Sequence, residues 1–172
     1  PAPVSGGTTG SRKTAGADAA ADTAQTGRDG LPEEIGAFTS GEFIGIEKVN
    51  DPTFAQKILG DGVAIVPSEG KIYAPCDCAV EMVMDTKHAV GLRTAAGSGI
   101  LIHVGIDTVN LQGKYFEVHA ADGQEFYKDK IKAAGYDTSA CLIFTEPAGG
   151  THVDREPEHT VKAGEKIAVI TM

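Results

Sequence analysis

Nowhere in the 172-residue chain is there an uninterrupted apolar run approaching the roughly 18 residues that carry a helix across a bilayer. Basic side chains are also few. Fifteen Lys and Arg stand against 24 Asp and Glu, for a formal charge of −9, and a chain so short of clustered cations is a poor candidate for nucleic-acid binding, which needs them to displace counterions from phosphates. Cysteine is scarce and odd in number: Cys76, Cys78 and Cys141 fit a reducing compartment better than a disulfide framework. The opening residues do not read as a basic-then-apolar secretory leader, and the chain starts at Pro1 rather than Met, as a piece cut from a longer protein would. What is plentiful is ordinary core material, at 41% apolar residues, enough for one domain and a tail.

Residues 1–33 form that tail. From Pro1 to Gly30 the composition is dominated by Gly, Ala, Ser, Thr, Asp and Pro, with Val4 the only branched aliphatic. Such a segment buries too little to offset its ordering entropy, so a flexible linker to something upstream is expected, followed by one domain over 34–172. Within that domain short apolar runs recur between Gly, Pro and Asp: 42–46, 62–67, 71–74, 80–84, 88–92, 100–106, 116–119, 140–145 and 166–171. Regular short strands with turn signals indicate an all-β fold, a compact antiparallel β-sandwich or barrel-sandwich. Two short helical turns interrupt it, one over 52–60 behind the Asn50–Asp51 cap signal and one over 129–135 closed by Gly135. No repeat at solenoid periods is evident.

Two histidine windows carry the chemistry. In Gly99-Ile-Leu-Ile-His-Val-Gly-Ile-Asp-Thr108 a strand period sends Ile100, Ile102, Val104 and Ile106 to one face and Leu101, His103, Gly105 and Asp107 to the other. Gly105 removes bulk beside the imidazole. In the second window, Asp85-Thr-Lys-His88, an extended backbone would put Thr86 and His88 on a common face. If the two histidines converge, one ring nitrogen held as a donor leaves the other a neutral nucleophile, while the second imidazole and a hydroxyl donate to phosphoryl oxygens. Two imidazoles are equally two ligands of a zinc site. A half-exposed strand histidine without a task is the bland alternative.

From about Ile35 to Met172 the chain resembles the enzyme IIA domain, glucose class, of the bacterial phosphoenolpyruvate-dependent sugar phosphotransferase system. The resemblance runs in order through Asn50-Asp-Pro-Thr-Phe-Ala-Gln-Lys57, Gly60-Asp-Gly-Val-Ala-Ile65, Pro67-Ser-Glu-Gly70 and Thr86-Lys-His-Ala-Val-Gly91. It continues through Leu101-Ile-His-Val-Gly-Ile-Asp-Thr-Val109 and Leu111-Gln-Gly113. It implies a phosphocarrier in which His103 takes phosphate on Nε2 from the phosphohistidine of HPr and passes it to a cysteine of an enzyme IIB domain. His88 would steady the phosphoryl group and Thr86 would hold His88. Asp51 and Asp107 would face basic side chains of HPr, with Phe54, Ile58 and Met84 as an apolar rim. No cofactor is required, and zinc enters only with His88 and His103 as its ligands in a partner complex. The expected location is the cytoplasm, or the cytoplasmic face of the membrane if IIB and a membrane IIC domain share the polypeptide. The alternative function is a regulatory interaction module read out by its phosphorylation state.

Departures from the family pattern set further expectations. The family usually carries a strand and turn of the type Val-Lys-x-Gly-Asp-x-Leu between the positions of Gln124 and Glu125, and this chain runs straight on, which would expose a sheet edge. Cys78 replaces a usual Gly at a turn that would need positive φ, and Cys141 a usual Pro, both expected to lie away from the histidines. Cys76-x-Cys78 has no second Cys pair to complete a structural zinc site. A lipoyl- or biotin-type carrier would need an acceptor Lys at a hairpin tip, a setting Asp85-Thr-Lys87 does not provide. His119, His152 and His159 read as solvated, and Met82 and Met84 as packed on one strand face.

Overall fold

The computed structural model describes residues 32–119, 123–126, 128–146 and 152–171. The tail expected over 1–33 therefore lies outside the described residues up to Leu31. Glu33, assigned to the tail by composition, already belongs to the first strand.

Thirteen strands and two short α-helices make up the described residues: β1 (Glu33–Gly36), β2 (Gly41–Gly45), α1 (Pro52–Ala55), β3 (Gly62–Pro67), β4 (Lys71–Ile72), β5 (Cys78–Val83), β6 (Ala89–Thr94), β7 (Gly99–Val104), β8 (Phe116–His119), β9 (Gly123–Phe126), α2 (Lys128–Ala133), β10 (Ala140–Glu146), β11 (His152–Arg155), β12 (Thr160–Val161) and β13 (Lys166–Thr171). Seven strands form one sheet in the order β12-β2-β3-β10-β7-β6-β5, and two three-stranded sheets, β1-β13-β11 and β4-β9-β8, accompany it. Pairing is antiparallel throughout, as the run of short segments and tight turns demands. The β-sandwich expectation holds, and both helical turns fall where the Asp51 cap and Gly135 placed them.

Although no repeat is evident in the sequence, the architecture nearly duplicates itself about the central pair β10-β7. A short strand of a small sheet leads into a strand of the large one, then a loop, then its neighbour: β1, β2, β3 in one half and β4, β5, β6 in the other. The short strands are matched too, β1 by β13 and β4 by β9.

Burial on either side of β7 and β10 positions the site. Ile100, Ile102, Val104, Leu142 and Phe144 point into the main core with Phe43 and Ile170. Their alternates, Cys141, Ile143 and half-buried Leu101, join Ile46, Phe54 and Ile106 in a second, smaller cluster. The strand reading of 99–104 is thereby borne out, but the alternation stops there. Gly105 takes φ +78°, where an added Cβ would lie 2.4 Å from Thr108 Cγ2 and 2.9 Å from the Asp137 carbonyl oxygen. This glycine makes a turn rather than clearing space beside the imidazole, and Asp107, with φ +56°, is no longer on the strand.

Three further expectations are corrected. Cys78 begins β5 and is absent from the positive-φ positions of the described residues, so its turn does not need glycine. Cys141 is not remote from the histidines: it pairs with His103 across β10 and β7. Met82 and Met84 are 50% and 39% exposed instead of packed, because β5 is the outermost strand of its sheet and carries no described neighbour on its far side. Where the family's additional strand would stand, β9 runs continuously and pairs with both β8 and β4.

Candidate functional site

His103 lies near the C-terminal end of β7, held on β6 and β10 by its register partners Ala89 and Cys141. His88 immediately precedes β6, and its carbonyl accepts the Val104 N–H at 2.8 Å, so β-pairing itself draws the two residues together. Their rings meet edge to face, centroids 4.7 Å apart at 80°. The third wall is Phe54, whose ring lies 5.0 Å from that of His103. It is delivered by α1, where Pro52 at the first turn and the Asp51 carboxylate, accepting from Thr53 N at 2.7 Å and Phe54 N at 3.3 Å, set the helix start. Phe54 is thus a 5% exposed floor of the site and not part of an exposed rim.

Thr86 does reach His88, by a route other than the expected shared strand face. Residues 85–88 form a tight turn with Lys87 at φ +56°, and within it Thr86 Oγ1 sits 2.7 Å from His88 Nδ1. That contact leaves Nε2 as the free nitrogen of His88. In His103 it is Nδ1 that is buried and makes no hydrogen bond of normal geometry.

Burial, the neighbouring His88 ring acting in the same direction, pushes the His103 pKa down to about 4, against smaller upward pulls from the Gly105 backbone and the Asp51 carboxylate. Burial lowers His88 as well. Both imidazoles are therefore neutral at pH 7, with lone pairs available. Ile58 and Met84, 66% and 39% exposed, and exposed Asp107 make no hydrogen bond or ring contact with the histidines. Two residues escaped sequence reasoning: Cys141, whose burial raises its thiol pKa to about 12, and half-buried Leu101. Only the β10–β7 register could have revealed the first, while the second shared the His103 face in the strand pattern.

For zinc, His88 and His103 offer two imidazole ligands, with Thr86 orienting one as an outer partner. Among the described residues, no group of three or more His, Cys, Asp or Glu has ligand-like spacing, so the two imidazoles would be only half of a four-coordinate set. His119, His152 and His159 stand apart, with side chains 46%, 73% and 38% exposed, beside Glu117, Asp154 and Glu165. No helix among the described residues is long and apolar enough to cross a membrane.

Comparison with known proteins gives the chain a family. Residues 33–149 match the family described as phosphoenolpyruvate-dependent sugar phosphotransferase system, EIIA 1. A glucose-specific EIIA component of Halalkalibacterium halodurans is 46% identical over 142 residues, covering 77% of this chain and 82% of the relative. A glucose-specific EIICBA component of Streptococcus pneumoniae is 38% identical over 151 residues, 83% of this chain but 21% of that protein. The chain thus spans about a fifth of the multi-component relatives it matches. Among solved structures, the glucose permease IIA of Mycoplasma capricolum superposes with a TM-score of 0.71 at 32% identity, covering 81% of this chain and 96% of that one. The chain belongs to the EIIA 1 family of the phosphoenolpyruvate-dependent sugar phosphotransferase system.

Proposed function

We propose that this domain carries phosphate during sugar uptake, accepting it on His103 Nε2 from phosphohistidine of HPr and donating it to a cysteine of an enzyme IIB domain. The observation that carries the reading is the pair of edge-to-face imidazoles, both lowered in pKa by burial, in which His103 Nδ1 is buried away from solvent. In the forward step the Nε2 lone pair attacks phosphorus, a new N–P bond forms, and the N–P bond to the HPr ring breaks with its electron pair. As the lone pair is drawn away the His103 ring gains positive character, which the Asp51 carboxylate and the Gly105 backbone both favour. Binding energy goes mainly into alignment, since donor and acceptor must stand in line.

His88 steadies the phosphoryl group through Nε2–H, which requires the tautomer with Nδ1 unprotonated. Thr86 selects it by donating its hydroxyl proton to Nδ1. Rotation of the same hydroxyl to accept from Nδ1–H would free the Nε2 lone pair for a metal, so zinc binding and phosphoryl support draw on opposite tautomers. Exposed Ile58, Met84 and Asp107, with Asp51 beside the site, provide apolar and acidic contacts for a basic partner face. IIB and IIC domains in the same polypeptide are suggested by the names of the EIICBA relatives, and a cytoplasmic location belongs to the same proposal.

The test is phosphorylation with phosphoenolpyruvate, enzyme I and HPr, read by intact mass. One acid-labile, alkali-stable phosphoryl group is expected, and none on His103→Gln. His88→Gln should still accept but donate poorly to IIB. A folded wild-type protein that gains nothing overturns the reading.

A further inference from the structure

The near-duplicate halves of the fold end differently. In the first half the outer edge of β2 is covered by β12, with Thr160 opposite Glu42 and Val161 opposite Gly41. The segment that makes this cover, Val161-Lys-Ala-Gly-Glu-Lys-Ile167, also turns the chain into β13, which pairs with β1. In the second half β9 pairs with β4 as β13 does with β1, yet no described strand lies outside β5. The consequence is visible in burial. On β2, Gly41 and Phe43 are buried, whereas every residue of β5 after Cys78 is exposed.

Val80 and Val83 show most clearly what is missing. They pair with Leu92 and Val90, both buried, so they stand on the core-facing side of the sheet, but are 49% and 39% exposed. Gatekeeping at this edge is slight. A bulge leaves Glu81 without a register partner on β6, and β5 contains neither Lys nor Pro. Its one charge is neutralised, since the Glu81 carboxylate takes both the Nε and a terminal N–H of Arg93 at 2.9 and 3.1 Å.

We infer that β5 is the contact edge of a symmetric, reversible dimer, in which β5 pairs antiparallel with β5 of a second copy of this chain. A two-fold axis normal to the sheet keeps core-facing sides aligned, so Val80 of one copy can stand opposite Val83 of the other on a single face. That register sets Glu81 opposite Met82 of the second copy and spares the carboxylates a direct encounter. The neutral edge also lets two molecules of net charge −9 approach without repulsion at the contact itself. A six-residue strand offers an edge of roughly 20 Å by 10 Å, well short of the ~800 Å² per partner of a standard interface, so the dimer is weak and concentration-dependent.

The experiment is sedimentation of the full chain from micromolar to millimolar concentration. Its weight-average mass should climb from 17.8 kDa towards twice that value. Val80→Lys and, independently, Val83→Lys should weaken association at least tenfold, on the order of 1.4 kcal/mol, while circular dichroism and phosphate acceptance stay at wild-type level. Val66→Lys, at an exposed apolar position of β3, should leave association unchanged. A wild-type mass that never rises overturns the inference, whether the β5 amides then exchange freely or prove covered from within the chain. Equal loss of association in Val66→Lys, pointing to unspecific apolar contact, overturns it too.

Discussion

Strands β2 and β5 hold corresponding places in the two halves of this protein, and their fates diverge at a single element. Beside β2 lies β12, and behind that cover Phe43 is 1% exposed and packs into the main core. Beside β5 lies no described strand, and Val80, on the core-facing side, is 49% exposed. The lesson is that burial on a sheet face is a property of the neighbouring strand as much as of the residue, because an edge side chain lacks the flank that would close over it. The divergence spares the histidines. Each half contributes one loop to the site, α1 with Asp51 and Phe54 from the first and the 85–88 turn with Thr86 and His88 from the second.

The comparison is tested most severely by truncating equivalent positions. Phe43→Ala should cost about 3–5 kcal/mol by urea unfolding, from lost transfer energy and a cavity in a closed core. Val80→Ala should cost under ~1 kcal/mol, since much of the side chain is already in water. Comparable costs would mean that the β5 edge is covered in solution.

A smaller effect is expected from acid, and it tests the place where the halves meet. His103 titrates at about 4 in the folded protein against an ordinary 6.5, and His88 is lowered in the same direction. A depressed histidine pKa means that the unfolded chain binds protons first. This contribution to stability is therefore complete above about 6.5 and is lost as pH falls through 4. His103→Gln should flatten that part of a stability–pH profile. An unchanged slope between pH 6.5 and 4 would show that the ring is not desolvated.

Smaller again is the cap of the first loop. Asp51→Ala removes the acceptor for two N–H groups at the start of α1 and should cost about 1 kcal/mol of stability. It should also lower the His103 pKa further, by withdrawing the carboxylate that raises it. Imidazole titration by NMR reads the second effect apart from the first.

Sequence reasoning found much of this and missed the rest for identifiable reasons. Alternation exposed β7 because Ile100, Ile102 and Val104 are branched and all face one core, and the Asp51–Pro52 pair marked α1 because capping is local chemistry. The contact of His88 with His103 could be raised from the two windows only as a condition, since it is created by the β6–β7 register and by the Val104 N–H to His88 carbonyl bond. Cys141 was misplaced for the same reason, its neighbour His103 lying 38 residues away in sequence but adjacent in register. The strands β11 and β12 passed unnoticed because they are short and polar, with only Val153 and Val161 buried. Exposure of Met82 and Met84 depended on the want of a flanking strand among the described residues, which no pattern within 80–84 can report.

A comparably small effect on stability comes from the second loop and separates two readings of the same hydrogen bond. Thr86→Val keeps shape and removes the hydroxyl 2.7 Å from His88 Nδ1, at a cost of about 0.5–1.5 kcal/mol. If Thr86 only stiffened the turn, transfer would change little. If its proton holds His88 in the Nε2–H tautomer, the variant should accept phosphate on His103 at near-normal rate yet donate it to IIB more slowly. Its imidazole ¹⁵N shifts should then show Nδ1 and Nε2 sharing the proton, where the wild type places it on Nε2. Thr86→Ser, which restores the hydroxyl, should recover both donation and shifts. Loss of donation with unaltered tautomer would instead assign Thr86 to the turn, making the 85–88 loop a scaffold and leaving His88 to be oriented by its ring contact with His103.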